Sequence, residues 1–191
     1  MVIPLEQKIN ELNQRLKKMK DEKRYFYLKS IDGASGARVT IDGREMIMFA
    51  SYNYLGLITH PKIKKAAIDA IEEYGTGAAG VRLLAGTTKI HEKLEAKIAK
   101  FKGAEDAVTY SSGYVTNLAA ITTLCQRGDL VIIDKLDHAS IIDGCLLSGA
   151  DHRSYLHNDM ESLERILVNS GKYINKLIIF DAVYSICLLY T

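Results

Sequence analysis

Apolar residues recur at alternating steps of four and three near the start of the chain. The positions are Leu5, Ile9, Leu12, Leu16 and Met19. These steps place side chains on one face of an α-helix, and Pro4 suits its first turn because no hydrogen bond from the proline nitrogen is needed there. The pattern predicts an amphipathic helix that packs on its own chain or on a partner subunit, with a membrane-surface helix as the alternative.

Short β-like segments follow this helix. Residues 37–41 and 45–49 flank Asp42-Gly43, a dipeptide that favours a tight turn between two antiparallel strands. We expect residues 1–50 to form an N-terminal arm that consists of the amphipathic helix and this β-hairpin.

Beyond residue 50, helical patterns alternate with short apolar segments. The predicted helices cover residues 61–74, 88–102, 114–126, 138–147 and 158–168. The predicted strands cover residues 107–110, 130–134, 152–155 and 177–180. Asn158 and Glu161 have the spacing of a capping box at the start of the last helix. The alternation predicts an α/β domain over residues 51–191, with a parallel-rich sheet and helices on both faces.

Composition and charge narrow the class of protein. The 191 residues are 48% hydrophobic and 25% charged, with a net charge of +2, which is typical of a globular domain. Residues 1–24 hold seven basic and four acidic side chains and the remainder 18 and 19, so the body lacks the basic surface that nucleic acid requires. Three widely spaced cysteines, with no long apolar segment and no signal peptide, favour a cytoplasmic protein that does not enter a membrane.

A glycine-rich string, Gly75-Thr76-Gly77-Ala78-Ala79-Gly80, matches the GxGxxG spacing of dinucleotide-binding loops. In that motif the string follows a strand and opens a helix. Here a predicted helix precedes the string, and seven further residues separate it from the next predicted helix. We therefore expect a close-packed glycine loop and not a nucleotide site.

Polar groups follow three of the predicted strands. They are Ser112-Gly113-Tyr114 after the first, His138 after the second, and Asp181 with Ser185 after the fourth. Free N–H groups at a helix start favour an anion such as phosphate. Because the carboxyl ends of parallel strands meet at one edge of a sheet, we expect these groups to form one site. No histidine pair has the spacing of a metal site, and we expect no metal.

A set of motifs occurs in a fixed order between residues 53 and 185. They are Asn53-Tyr54-Leu55-Gly56-Leu57, the loop 75–82 with Ala85-Gly86-Thr87, His91 with Leu94-Glu95, Ser112-Gly113-Tyr114 with Asn117, His138-Ala139-Ser140, His157-Asn158-Asp159 and Asp181-Ala182-Val183-Tyr184-Ser185. In this order they resemble the α-oxoamine synthases, acyltransferases that depend on pyridoxal 5'-phosphate (PLP) and have the aspartate-aminotransferase fold, fold type I. The resemblance implies a homodimer that condenses a small amino acid, alanine or glycine, with an acyl-CoA.

The resemblance also implies which residues bind the cofactor. The phosphate of PLP would lie against Ser112, Gly113 and Tyr114 at the start of a helix. The pyridine ring would stack on His138, and Ser185 would hydrogen-bond the phenolic oxygen of that ring.

Further roles follow from the same resemblance. His138 and Asp181 would be the catalytic residues, although Asp181 stands where the family usually carries the longer Glu. Asn53 and Arg82 would contact the substrate. The glycine loop at residues 75–80 would lie at the dimer interface, beside the cofactor of the other subunit.

The chain departs from the family pattern after Ser185. Residues 186–191 read Ile-Cys-Leu-Leu-Tyr-Thr, whereas the family continues to an aspartate that pairs with the pyridinium nitrogen and to the Schiff-base lysine. Lys135 lies beside a strand end, but its flanking residues do not resemble the lysine motif. Without that lysine, no group is available to form the covalent bond to PLP on which catalysis depends.

The sequence therefore predicts the N-terminal half of an α-oxoamine synthase, with an incomplete PLP-binding domain and no activity of its own. A non-catalytic fragment that binds the phosphate of PLP, or that pairs with another subunit, is the alternative. An aminotransferase is a third interpretation, which the full set of motifs disfavours.

Overall fold

The computed structural model describes residues 3–25, 30–33 and 36–184. The chain divides into two compact units, Met1–Val81 and Arg82–Thr191. The boundary at residue 50 that the sequence suggested stays a prediction, because a compact unit is not by itself a domain.

The described part of the first unit contains two helices and one β-hairpin. Its elements are α1 (Leu5–Asp21), β1 (Arg38–Ile41), β2 (Arg44–Ile47) and α2 (Pro61–Tyr74). Helix α1 begins directly after Pro4, as predicted, and strands β1 and β2 pair antiparallel with Ile41 opposite Arg44. Asp42 and Gly43 adopt φ angles of 52° and 73°, and positive φ at both central residues is what a tight hairpin turn requires.

From α4 onward the second unit alternates helices and strands as the sequence predicted. Its elements are α3 (Lys89–Lys102), α4 (Gly113–Leu124), β3 (Leu130–Asp134), α5 (Ala139–Ser148), β4 (Asp151–Tyr155), α6 (Met160–Val168) and β5 (Lys176–Ile179). The strands form one parallel sheet in the order β4-β3-β5. Asp134 at the end of β3 lies opposite Tyr155 at the end of β4.

The core lies on both faces of the central strand β3, whose five residues are all buried. Val131 and Ile133 point to one face and pack with residues of α4 and α5, among them Ile121 and Ile141. Their neighbours along the strand point to the other face, because side chains alternate, and pack against α6 and Tyr155. The prediction of a parallel sheet with helices on both faces is confirmed.

The predicted strand at residues 107–110 does not form. No strand of the described chain pairs with this segment, and a strand needs a neighbour to satisfy its backbone groups. One of those groups, the N–H of Thr109, donates to the carboxylate of Glu95 at 2.8 Å instead.

The start of α6 also differs from its prediction. The N-cap is Asp159, whose carboxylate accepts from the N–H of Ser162 at 2.8 Å. Asn158 adopts a φ of 54°, a left-handed conformation that differs from the extended backbone of an N-cap residue. The capping box predicted from Asn158 and Glu161 was therefore wrong by one residue.

None of the helices in the described part of the chain is long and apolar enough to cross a membrane.

Candidate functional site

The start of helix α4 has the features of an anion site. Ser112 is the N-cap, and its hydroxyl accepts from the N–H of Val115 at 3.3 Å. The N–H groups of Gly113 and Tyr114 belong to the first turn and precede the intrahelical hydrogen bonds. A side chain built at Gly113 would meet no atom within 4 Å, so open space borders these donors. This part of the second unit can hold a phosphate group.

His138 lies at the start of the next helix, as the N-cap of α5. Its side chain is exposed, while its backbone N–H donates to the carboxylate of Asp181 at 2.9 Å. The N–H of Asp181 in turn donates to Oδ1 of Asp137 at 2.9 Å. These contacts hold the residues after β5 against the residues after β3, so His138 and Asp181 lie together as predicted.

Two buried carboxylates support this edge of the sheet. Burial raises the pKa of Asp137 to about 6. The hydrogen bonds that its carboxylate accepts from the N–H groups of Asp181 and Asp134 act to lower this pKa, because they stabilise the charged form. Burial also acts to raise the pKa of Asp134. Hydrogen bonds from the N–H of Leu136 and from His157 nevertheless leave the pKa of Asp134 below its ordinary value.

A cavity of about 660 Å³ opens beside these carboxylates. Its lining includes Asp134, Tyr155, His157, Leu163, Phe180 and Tyr184. Nδ1 of His157 lies 3.0 Å from Oδ1 of Asp134, and the ring of His157 meets that of Tyr184 edge-on, with centroids 4.5 Å apart. Burial, together with the charges of Asp134 and Asp137, raises the pKa of Tyr155 to about 12, so its hydroxyl stays protonated at neutral pH.

The supporting role of Asp134 and Asp137 was missed from the sequence. Their signal was present, because Asp134 ends the otherwise apolar strand β3 and Asp137 follows it, at the edge where ligands of parallel sheets collect. Their partners Asp181 and His157 lie far along the chain, and only the fold brings them together.

Arg82 is held inside the second unit by a network of hydrogen bonds. Its guanidinium forms an ion pair with both oxygens of Glu95 and reaches the hydroxyl of Thr109 at 3.2 Å. The bonds from Arg82 and from the N–H of Thr109 lower the pKa of Glu95 to about 2. The substrate contact expected of Arg82 stays a prediction, and the structure gives its charge a partner within the chain.

Two other residues expected at the site are not placed there. Asn53 belongs to the first unit, where its side-chain oxygen accepts from the N–H of Ile58 at 3.2 Å. Ser185 lies outside the described residues. Their roles stay predictions.

A comparison with known protein families identifies the family to which the chain belongs. A model of the Aminotransferase class I and II family matches residues 44–187. The chain belongs to the aminotransferase class I and II family. This match covers nearly all of the second unit, including every element of the candidate site there, and slightly less than half of the first unit.

Relatives within the aminotransferase class I and II family are similar over nearly the whole chain. The 8-amino-7-oxononanoate synthase of Thermoanaerobacter pseudethanolicus is 47% identical over 175 residues, which is 91% of this chain and 44% of the relative. That of Geobacter sulfurreducens is 45% identical over 170 residues, or 89% of this chain and 44% of the relative. A structure of S. paucimobilis serine palmitoyltransferase with bound PLP-myriocin aldimine has a TM-score of 0.88 at 32% identity, covering 96% of this chain and 46% of that chain.

These similarities confirm three predictions. The chain corresponds to the N-terminal half of an α-oxoamine synthase, it has the fold type I architecture, and its family depends on PLP. The chain spans about 44% of the length of the curated relatives it matches.

Proposed function

We propose that this chain supplies the phosphate-binding and ring-binding groups of the PLP site in an α-oxoamine synthase. The whole enzyme would condense a small amino acid, alanine or glycine, with an acyl-CoA. The observation that supports this most is the meeting of His138 and Asp181 at one sheet edge, where α5 also bonds to Tyr114 in the first turn of α4.

The phosphate would be held by the start of α4. The N–H groups of Gly113 and Tyr114 and the hydroxyl of Ser112 would donate to its oxygens, and the positive end of the helix dipole favours its charge. Tyr114 is fixed for this role because its own hydroxyl donates to the carboxylate of Asp143 on α5.

The aromatic ring would lie on His138. That side chain is exposed, so one face of the imidazole is open to a flat ligand. Asp181 holds the backbone of His138 and thereby orients the ring-binding residue, while Ser185 and Asn53 would complete the contacts to cofactor and substrate. PLP, when bound, supplies an electron sink for charge that develops on the amino acid.

By itself the chain would bind PLP without a covalent bond and would not catalyse acyl transfer. No lysine within the 191 residues has the flanking sequence of the lysine that bonds to PLP. Lys135 follows β3 directly and is exposed, and its flanking residues do not match that sequence either. In this proposal the chain is a binding fragment, and the lysine that bonds to PLP lies outside these 191 residues.

The partners would be a second subunit and the two substrates. Helix α1 has no buried residue, and the apolar side chains of Leu5, Ile9, Leu12 and Leu16 are exposed in the described structure. An exposed apolar stripe of this kind fits a subunit contact. The glycine loop at residues 75–80 would lie at the same interface in a homodimer.

Titration of the chain with PLP and with pyridoxal, which lacks the phosphate, tests the proposal. We expect saturable binding of PLP and at least about tenfold weaker binding of pyridoxal, because the phosphate accepts charge-assisted hydrogen bonds. Gly113→Asp should abolish this preference by placing a negative charge at the helix start. Gly171→Asp is the matched control, since Gly171 is exposed and a side chain there meets no atom within 4 Å. Equal binding of the two compounds would overturn the proposal.

A further inference from the structure

The imidazole of His138 is exposed but its Nδ1 atom is held by Ser140. The hydroxyl oxygen of Ser140 lies 2.7 Å from Nδ1, and the backbone N–H of Ser140 donates to the same atom at 3.2 Å. A backbone N–H can only donate. Nδ1 therefore carries no proton, and the proton of the neutral ring is on Nε2.

The hydroxyl of Ser140 has two hydrogen-bonding partners, and only one of them can accept its hydrogen. Ser140 is fully buried, and its oxygen accepts a hydrogen bond from the side-chain amide of Asn117 on α4 at 2.9 Å. An amide nitrogen donates and cannot accept, so the hydroxyl hydrogen goes to Nδ1 of His138. The hydrogen bonds run in one sense, from Asn117 to Ser140 to His138.

This chain of bonds depends on close packing between α4 and α5. A side chain built at Gly144 would lie 2.8 Å from Cδ1 of Ile121 and 3.4 Å from the backbone oxygen of Asn117. Glycine leaves room for this close approach of the two helices, because a Cβ atom would also lie only 3.2 Å from Cβ of Ile121. Gly144 is one helical turn after Ser140, so the same contact brings the amide of Asn117 to the hydroxyl of Ser140.

We propose that Asn117 and Ser140 are positioning residues that fix the orientation and the tautomer of His138 before any ligand binds. The ring is thereby held at its Nδ1 atom, and Nε2 carries the proton. A ligand that stacks on a preset ring loses less conformational freedom on binding. That this ligand is PLP rests on the proposed function, whereas the state of the ring does not.

The ¹⁵N resonances of His138 in the whole chain, recorded without ligand, test this proposal. We expect Nε2 to carry the proton in the wild type. Asn117→Asp keeps the shape of the side chain but can only accept, so the Ser140 hydroxyl would turn toward it and leave His138 with the backbone donor alone. The Nδ1 resonance should then shift toward the value of an averaged tautomer, and Ser140→Ala should shift it likewise.

Ser148→Ala is the control, because Ser148 is on the same helix and its hydroxyl donates to the carbonyl of Cys145. The control should leave the His138 resonances unchanged. A proton on Nδ1 in the wild type, or resonances that Asn117→Asp does not move, would overturn the proposal. The wild-type spectrum decides the tautomer even if a variant does not fold.

Titration of the same variants with PLP separates this inference from the proposed function. Loss of one neutral hydrogen bond predicts roughly two- to tenfold weaker PLP binding for Asn117→Asp and Ser140→Ala. If the wild type binds no PLP but its His138 shows the expected tautomer, the proposed function fails and the inference about the ring stands.

Discussion

The pKa values of two carboxyl groups in the second unit are shifted in opposite directions from their ordinary values. Glu95 lies beside the guanidinium of Arg82, which lowers its pKa to about 2. Asp137 is buried at the sheet edge, where its carboxylate accepts hydrogen bonds from the backbone N–H groups of Asp134 and Asp181. Burial raises the pKa of Asp137 to about 6. Both groups hold backbone segments of the candidate site, so their titration reports on the integrity of that site.

The raised pKa of Asp137 predicts a pH-dependent stability. The folded chain binds this proton more tightly than the unfolded chain, whose value is near 3.8. The stabilisation is therefore full below about pH 4 and is lost as pH rises through about 6. Relative to Asp137→Asn, which cannot ionise, the wild type should lose about 2 kcal/mol of unfolding free energy between about pH 4 and about pH 7. Urea unfolding at both pH values measures this, and a constant difference would contradict it.

The bond from Thr109 to Glu95 predicts a local effect on hydrogen exchange. Glu95→Gln removes the charge that accepts from Arg82 and Thr109, so the Thr109 amide should exchange roughly tenfold faster. Glu92→Gln is the matched control on the same helix, because Glu92 pairs only with Lys89 on the exposed face among the described residues. In the wild type the protection should persist down to about pH 3 and fall as Glu95 protonates toward pH 2.

Equal exchange of Thr109 in the Glu95 and Glu92 variants would show that the ion pair does not hold this segment.

At the scale of elements, the contact between α4 and α5 is the one that a single methyl group should disturb. Gly144→Ala places that methyl 2.8 Å from Ile121, and overpacking of this kind outweighs the better helix propensity of alanine. We expect a net loss of about 1–2 kcal/mol in unfolding free energy. Gly171→Ala, where no atom lies within 4 Å, should change it little. Denaturant unfolding compares them, and equal stability of both variants would refute the close contact.

The elements that the sequence predicted well are those whose local pattern and tertiary contacts agree. Strand β3 has the predicted bounds because an apolar run ends at Asp134 and both of its faces are covered. The segment 107–110 has the same kind of composition, yet it has no neighbouring strand among the described residues. Pairing is not encoded within a strand, so composition alone predicted a strand there wrongly.

In the candidate site too, some contacts could be predicted from the sequence and others could not. Strand-end positions predicted that His138 and Asp181 lie together, since parallel strands direct their carboxyl ends to one edge. The partners of Arg82 could not be predicted in this way. Glu95 and Thr109 are 13 and 27 residues away along the chain, and packing within the second unit brings both of them to the guanidinium.

At the scale of the whole molecule, the chain combines the candidate binding edge with a small sheet. The three strands β4, β3 and β5 leave β4 and β5 as edges in the described structure. The curated relatives are more than twice as long. In the proposed function, cofactor binding belongs to this chain and covalent chemistry belongs to residues outside it.

Borohydride trapping after equilibration with PLP tests that division of roles most directly. We expect the chain to retain PLP during equilibrium dialysis and to release it on further dialysis. After reduction, peptide mapping should then find no lysine labelled in stoichiometric amount, because no lysine of the chain bonds to the cofactor. Stoichiometric labelling of a single lysine, Lys135 above all, would contradict this division of roles.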